Sequence, residues 1–233
     1  MHIAGAECMD KERYMNSSEV LEEPSLPNFE RDSLDLAILR YMAQRIYITL
    51  YLLDEPADPS QPLVYYSEEG QKYTHRMAIY KPGELLQNNS IDFVGFVSAK
   101  LKPESPQVIE EIRAVDKKLI VELISTPGLL SYSSMEMRGG RWCNLVLLSN
   151  AEAKMHIRNS ETHAYAAYQL SPRYYEWVRI HNGTMPGGLA RNEMVLQKTK
   201  YYQFQGPHER PTMEETSPPD PFSILDSRPK GRD

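Results

Sequence analysis

Apolar positions along this chain change period several times, and the clearest stretch begins at residue 91. "IDFVGFVSAKL" (91–101) alternates, with Phe93, Gly95, Val97, Ala99 and Leu101 on one face and Val94 and Phe96 on the other, which predicts a strand. "PQVIEEIRAVDKKLIVELIST" (106–126) then changes to a period near 3.6, with Val108, Ile112, Val115, Leu119 and Leu123 recurring every three or four positions. Ser105 is placed to cap this helix and Pro106 to start it. "LLSYSSMEM" (129–137) and "RWCNLVLLS" (141–149) flank "RGG" and predict a hairpin. A helical region follows over 150–170. Ser171 and Pro172 are expected to start another helix, "PRYYEWVRIH", and Asn182–Gly183 to stop it. "EMVLQKTKYYQFQ" (193–205) is expected to be the closing strand.

Upstream the pattern is less regular. "SLDLAILRYMAQ" (33–44) places Leu36, Leu39, Met42 and Ala43 at helical spacing. "RIYITLYLLD" (45–54), dense in β-branched and aromatic residues, is expected to be a strand. "PLVYYS" and "YTHRMAIY" predict a hairpin or meander. Residues 1–32 read as an N-terminal arm and 33–90 as an accessory α/β segment, conceivable as a degenerate first repeat. The proline-rich stretch 206–233 reads as an extended or disordered tail without regular pairing, because Pro211, Pro218, Pro219, Pro221 and Pro229 break it up.

Residues 91–205 therefore read strand, helix, strand, strand, helix, strand, the ferredoxin-like order. The expected class is α+β, an antiparallel sheet with helices on one face. Its other face is apolar as well and needs cover. The chain has 233 residues and a net charge of -6, with no Lys/Arg-rich run, so a nucleic-acid partner is not expected. No apolar run is long enough to span a membrane, and no signal peptide is read at the N-terminus. Two cysteines, Cys8 and Cys143, suit a reducing compartment, and the expected location is cytoplasmic. There is no H-E-x-x-H, C-x-x-C or clustered carboxylate motif, so no metal is expected. "MPGG" lacks the residues of a phosphate loop and no G-x-S-x-G elbow occurs, which argues against nucleotide-dependent enzymes and serine hydrolases.

The segments "FVGFVSAKL", "TPGLLSYSSMEM", "RWCNLVLLSN" leading into "AEAKMHI", and the closing "LQKTKYYQF" together resemble the dimeric α+β barrel superfamily. In that superfamily the second helix commonly follows a Trp-bearing strand. The matching positions here are Trp142, then Glu152 and Ala153, then His156 or His163. The resemblance covers about half the chain. It implies a homodimer and a site in a cavity between sheet and helices. The superfamily holds cofactor-free monooxygenases, cyclases, isomerases and decarboxylases, haem-binding enzymes, and members without known activity, so the fold alone does not choose a function.

Six residues stand out as candidates. His163, followed by Ala166, Ala167 and Leu170 on its face, is a candidate general base. His181, expected in the last turn of a helix, and Tyr175 are further catalytic candidates. Tyr174, Trp177 and Arg179 would bind and orient a hydrophobic or aromatic substrate, the arginine balancing developing negative charge. His156 and His163 are two helical turns apart, about 10 Å, too far to share a metal. The leading expectation is an acid–base lyase, isomerase or cyclase with a small-molecule substrate and no cofactor. Two alternatives remain: a haem protein with His163 or His181 as axial ligand, or a non-enzymatic binding or assembly protein.

Overall fold

The computed structural model describes residues 28–52, 63–68, 74–102, 105–137, 140–206 and 209–218. Its elements run α1 (Asn28–Tyr51), β1 (Leu63–Glu68), β2 (Thr74–Ile79), α2 (Pro82–Gln87), β3 (Ser90–Lys100), α3 (Pro106–Glu122), β4 (Leu129–Met137) and β5 (Arg141–Leu148). They continue as α4 (Ala153–Arg158), α5 (Glu161–Tyr165), α6 (Ser171–Tyr174), β6 (Tyr175–Pro186), α7 (Gly188–Arg191), β7 (Val195–Gln203) and β8 (Thr212–Thr216). The strands form one antiparallel sheet in the order β1-β2-β4-β5-β3-β6-β7-β8. Its middle, β4-β5-β3-β6, is the ferredoxin-like order, and the fold is α+β as expected.

The closing strand of that unit is β6, not 193–205, which forms β7 and extends the sheet instead. Ser171 and Pro172 do start a helix, but it lasts one turn. From Tyr175 the chain is extended, and Asn182–Gly183 lies inside a strand rather than at a helix stop. Two facts favour extension here. Tyr, Trp, Val and Ile are strand formers, and positions 177, 179, 181, 183 and 185 alternate with 178, 180 and 182 so that both faces of β6 are used. Gly183 is required by close packing, since a β-carbon there would lie 2.2 Å from the Val195 carbonyl oxygen and 2.6 Å from the Phe93 ring.

The upstream half differs more. "RIYITLY" is not a strand but the second half of α1, a single 24-residue helix. Ile46 and Leu50 continue the buried stripe of Asp35, Leu39, Met42 and Ala43, and this helical burial outweighs the β-propensity of the segment. The described part of 33–90 reads helix, strand, strand, helix, and so is no ferredoxin-like repeat. Residues 28–32 belong to α1, whereas the expected arm at 1–27 lies outside the described residues. Part of the expected tail is ordered, because Thr212–Thr216 pairs with β7 between Pro211 and Pro218. The remainder, from 219, lies outside the described residues.

Three layers result. On one face, α3 and the α4–α6 region pack on Val94, Tyr132, Val146 and Leu148, and on Phe96, Val178 and Ile180. There the Asp116 carboxylate accepts from Arg76 at 2.7 Å and from the Tyr132 hydroxyl at 3.1 Å. The opposite face, apolar in the sequence, is covered within the chain by α1, α2 and α7. α1 lies so close to β3 that a β-carbon on Gly95 would sit 2.2 Å from Leu39 Cδ1. No helix among the described residues is long and apolar enough to cross a membrane.

Gly95→Ala is expected to cost about 1–3 kcal/mol by overpacking and Leu39→Ala about 2–5 kcal/mol by opening a cavity. Because the two atoms compete for one space, the double variant is expected to lose clearly less than the sum of the single losses in urea denaturation. Strict additivity would show that α1 does not sit on Gly95.

Candidate functional site

The polar groups that the sequence singled out are divided by the sheet. Trp177, Arg179 and His181 project toward α1. Tyr174 and Tyr175 lie on the other side, in the cluster formed with Val108 and Phe96. Tyr175 packs edge-on against Phe96 and Tyr174, and burial raises its hydroxyl well above the usual phenol range. His163 sits on α5, which packs with α3 on that second side. Its backbone N–H donates to Ser160 Oγ, and burial, helped by the Arg158 charge, lowers its imidazole below the ordinary value.

The group that comes together lies between α1, β6 and β7. Asp35, fully buried on α1, accepts from Arg179 Nε at 2.6 Å and Nη2 at 2.9 Å in a two-pronged pair. The Arg179 guanidinium also stacks 4.0 Å from the centre of the Trp177 ring. Asp35 Oδ2 takes a third contact, 2.8 Å from His181 Nε2. The other ring nitrogen, Nδ1, is 2.9 Å from Thr199 Oγ1 on β7. Asp32, one turn before Asp35, is hydrogen-bonded to Thr199 and lies 3.9 Å from His181 Nδ1. His181 is wholly buried while the Asp32 side chain is 16% exposed, so the chain of groups runs from the surface inward.

His181 is therefore not at a helix C-terminus, and the dipole effect expected there does not apply. Arg179 is held by Asp35 rather than available to orient a ligand. Asp35, Asp32 and Thr199 escaped the sequence reading. The available signal was Asp35 lying four residues before Leu39 on the same helical stripe, a carboxylate in a buried register.

Electrostatics separates the two carboxylates. Burial alone would raise Asp35, but hydrogen bonds from His181 and Arg179 outweigh it, and its carboxyl is held below the usual range. Asp32 moves the other way, raised by burial despite the nearby His181 and its bond to Thr199. An ionised Asp35 only accepts, so His181 Nε2 carries a proton. The Thr199 hydroxyl has one proton and two acceptors to choose from, His181 Nδ1 and Asp32. With neutral His181 the hydroxyl donates to Nδ1. With imidazolium it accepts from Nδ1–H and donates to Asp32. Rotation of one hydroxyl thus links a proton on Asp32 to a proton on His181.

A haem iron does not fit His181, since both of its ring nitrogens are engaged. An open groove of about 410 Å³ lies at the far side, lined by Lys118, Glu122, His156, Ser160 and Thr162 among others, and His163 does not line it. Among the described residues no three of His, Cys, Asp and Glu come together as a metal site.

No protein-family model matches the chain, and no curated protein does. Three similar solved structures share 14% identity with it. A protein from Shewanella oneidensis aligns over 42% of this chain and 93% of its own, with a TM-score of 0.36. A proposed monooxygenase from Fusobacterium nucleatum aligns over 52% of this chain and 48% of its own, TM-score 0.33. One from Lactobacillus acidophilus aligns over 47% and 50%, TM-score 0.32. The chain thus spans about half the length of the two monooxygenase-type structures.

Asp35→Asn replaces the carboxylate that Arg179 meets with two donors by a neutral amide and is expected to cost about 3–5 kcal/mol near neutral pH. A depressed carboxyl contributes stability above its unfolded pKa, about 3.9, and loses it as pH falls through the lower folded value. The gap between wild type and Asp35→Asn in chemical denaturation should therefore narrow steadily below about pH 4. A gap independent of pH would mean that Asp35 is not ionised in the fold.

Proposed function

We propose that the protein is a small-molecule enzyme that works by acid–base chemistry without a nucleotide, of the lyase, isomerase or cyclase kind. The observation that carries this reading is the hydrogen-bonded line Asp32–Thr199–His181–Asp35, with a solvent-reaching carboxylate at one end and a buried, charge-balanced imidazole at the other. Asp32 is the group that meets substrate. Its carboxylate takes a proton from a carbon or oxygen acid, Thr199 passes its own hydroxyl proton to His181 Nδ1, and the proton on Asp32 replaces it on Thr199. Asp35 holds the resulting imidazolium, and Arg179 keeps Asp35 ionised in a dry setting. Arg31, which stacks over the Tyr201 ring beside Trp177, lies next to Asp32 and is suited to balance negative charge on an aromatic substrate.

A structural role for the same groups is favoured by one observation, the two-pronged Asp35–Arg179 pair that pins α1 to the sheet. Thr199 separates the two readings, since it can carry a proton but is not part of that pair. Homodimerisation belongs to the proposal too; because α1 already covers the apolar sheet face, a second copy would pair through another surface.

The test is proton–deuterium exchange and turnover on a panel of aryl ketones and aryl-substituted 2-oxo acids. Thr199→Val is expected to lose about 100-fold or more of the wild-type rate, Thr199→Ser to restore most of it, and both to stay folded by circular dichroism. Equal rates in Val and Ser variants, or no exchange by the wild type across the panel, would defeat the enzyme reading. The rate should also fall on the acid side as Asp32 becomes protonated, at a pH above the ordinary aspartate value because burial raises this group. Asp32→Asn should remove the activity.

A further inference from the structure

The two outer strands of the sheet differ in how their edges are protected. Among the described residues nothing pairs with the outer edge of β1 or of β8. An open edge is a row of unpaired N–H and C=O groups, a template for another strand. β8, "TMEET", blunts its edge with charge, and Glu215 is held there by Lys198 and Lys200. Two copies of β8 meeting around its middle residue would set Glu214 against Glu214, which is unfavourable. β1, "LVYYSE", has no charged residue before Glu68 and no proline, so that protection is missing.

A second observation falls at the same end of the sheet. α1 crosses from β7, where Arg31 lies over the Tyr201 ring, to β2, where Thr49 Oγ1 donates to Met77 Sδ at 3.7 Å. Tyr47, near the end of the helix, packs on the same cluster as Leu63 of β1. The last turn of α1 therefore stands beside the β1 edge, and it is apolar and exposed. Tyr51 is 77% exposed, Leu52 71% and Ile48 38%, with Val64 on β1 at 40%.

We infer that the β1 edge and the end of α1 form one interaction surface, and that its occupant is a second copy of this chain, β1 pairing antiparallel with β1. This gives a surface to the homodimer proposed above and rests on that part of the proposal alone. Symmetry favours an identical partner. A two-fold axis normal to the sheet keeps the helices of both copies on the same face, so the two α1 ends meet over the seam and cover each other's apolar side chains. The same axis sets one β1 residue opposite its own copy. With residue 65 or 66 there, the two Glu68 positions lie about 14–20 Å apart along the strands, and no like charges face each other. The two eight-stranded sheets then become one continuous antiparallel sheet.

The test is sedimentation velocity of the full chain over a dilution series. The wild type is expected to pass from dimer to monomer on dilution. Leu52→Lys and Val64→Lys, both at exposed positions, should each weaken dimerisation by about 10-fold or more. Met213→Lys, exposed on the opposite edge, should leave it unchanged. Strand pairing is read separately by oxidative cross-linking in a Cys8→Ser background, where the remaining Cys143 is buried. Of Val64→Cys, Tyr65→Cys, Tyr66→Cys and Ser67→Cys, the one that faces its own copy should cross-link far better than its neighbours, because a disulfide needs close β-carbons. A wild type that stays monomeric at every concentration overturns both this surface and homodimerisation. A dimer indifferent to Leu52→Lys and Val64→Lys, with no preferred cross-linking position, overturns the surface alone and leaves a homodimer built elsewhere.

Discussion

Leu39 occupies the space that a side chain at position 95 would need, and this single close contact between α1 and β3 sets the arrangement of one whole face. With Gly95 bare, the helix axis can approach the strand closely enough for Met42, Ala43, Ile46 and Leu50 to reach the sheet along the rest of its length. One turn earlier the same approach brings Asp35 to Arg179 and His181, because Gly95 and His181 are paired across β3 and β6. The apolar stripe and the polar clamp are thus two consequences of one helix position. Both depend on α1 lying against the sheet.

The clamp is costly, since several ionisable groups share a nearly dry site. It is tolerable because each charge has a partner with good geometry: two guanidinium donors and one imidazole donor on a single carboxylate. That saturation pushes Asp35 down while Asp32, at the rim, moves up. Two carboxylates one helical turn apart then have opposite tendencies to hold a proton, with a threonine hydroxyl and an imidazole between them. Such separation is a common arrangement for proton movement, and here it is built by a helix outside the ferredoxin-like unit.

Two segments depart from their local pattern for the same reason. "RIYITLY" has the composition of a strand but is helical, and "PRYYEWVRIH" has the start signal of a helix but is extended after one turn. Local propensity is weak, of the order of 1 kcal/mol per residue at most. Burying Ile46 and Leu50 against the sheet outweighs it in the first case, and pairing β6 with both β3 and β7 outweighs it in the second. The consequence for the site is direct. Read as a helix, positions 174, 177 and 181 share a face. As a strand, Trp177, Arg179 and His181 do, and Tyr174 and Tyr175 turn to the other layer.

Periodicity by itself determined β3, α3, the β4–β5 hairpin and the α+β class, because these segments carry their amphipathic pattern within a dozen or so residues and end in strong turn signals. It also required that the second sheet face be covered, without saying by what. Only the tertiary structure decided that α1 covers it and that β7 and β8 widen the sheet. It alone placed Asp35 against His181, across 146 positions of sequence. The physical reason is range. A repeating pattern records which side of an element faces inward, whereas the partner it meets there depends on how distant elements pack, and no local spacing encodes that.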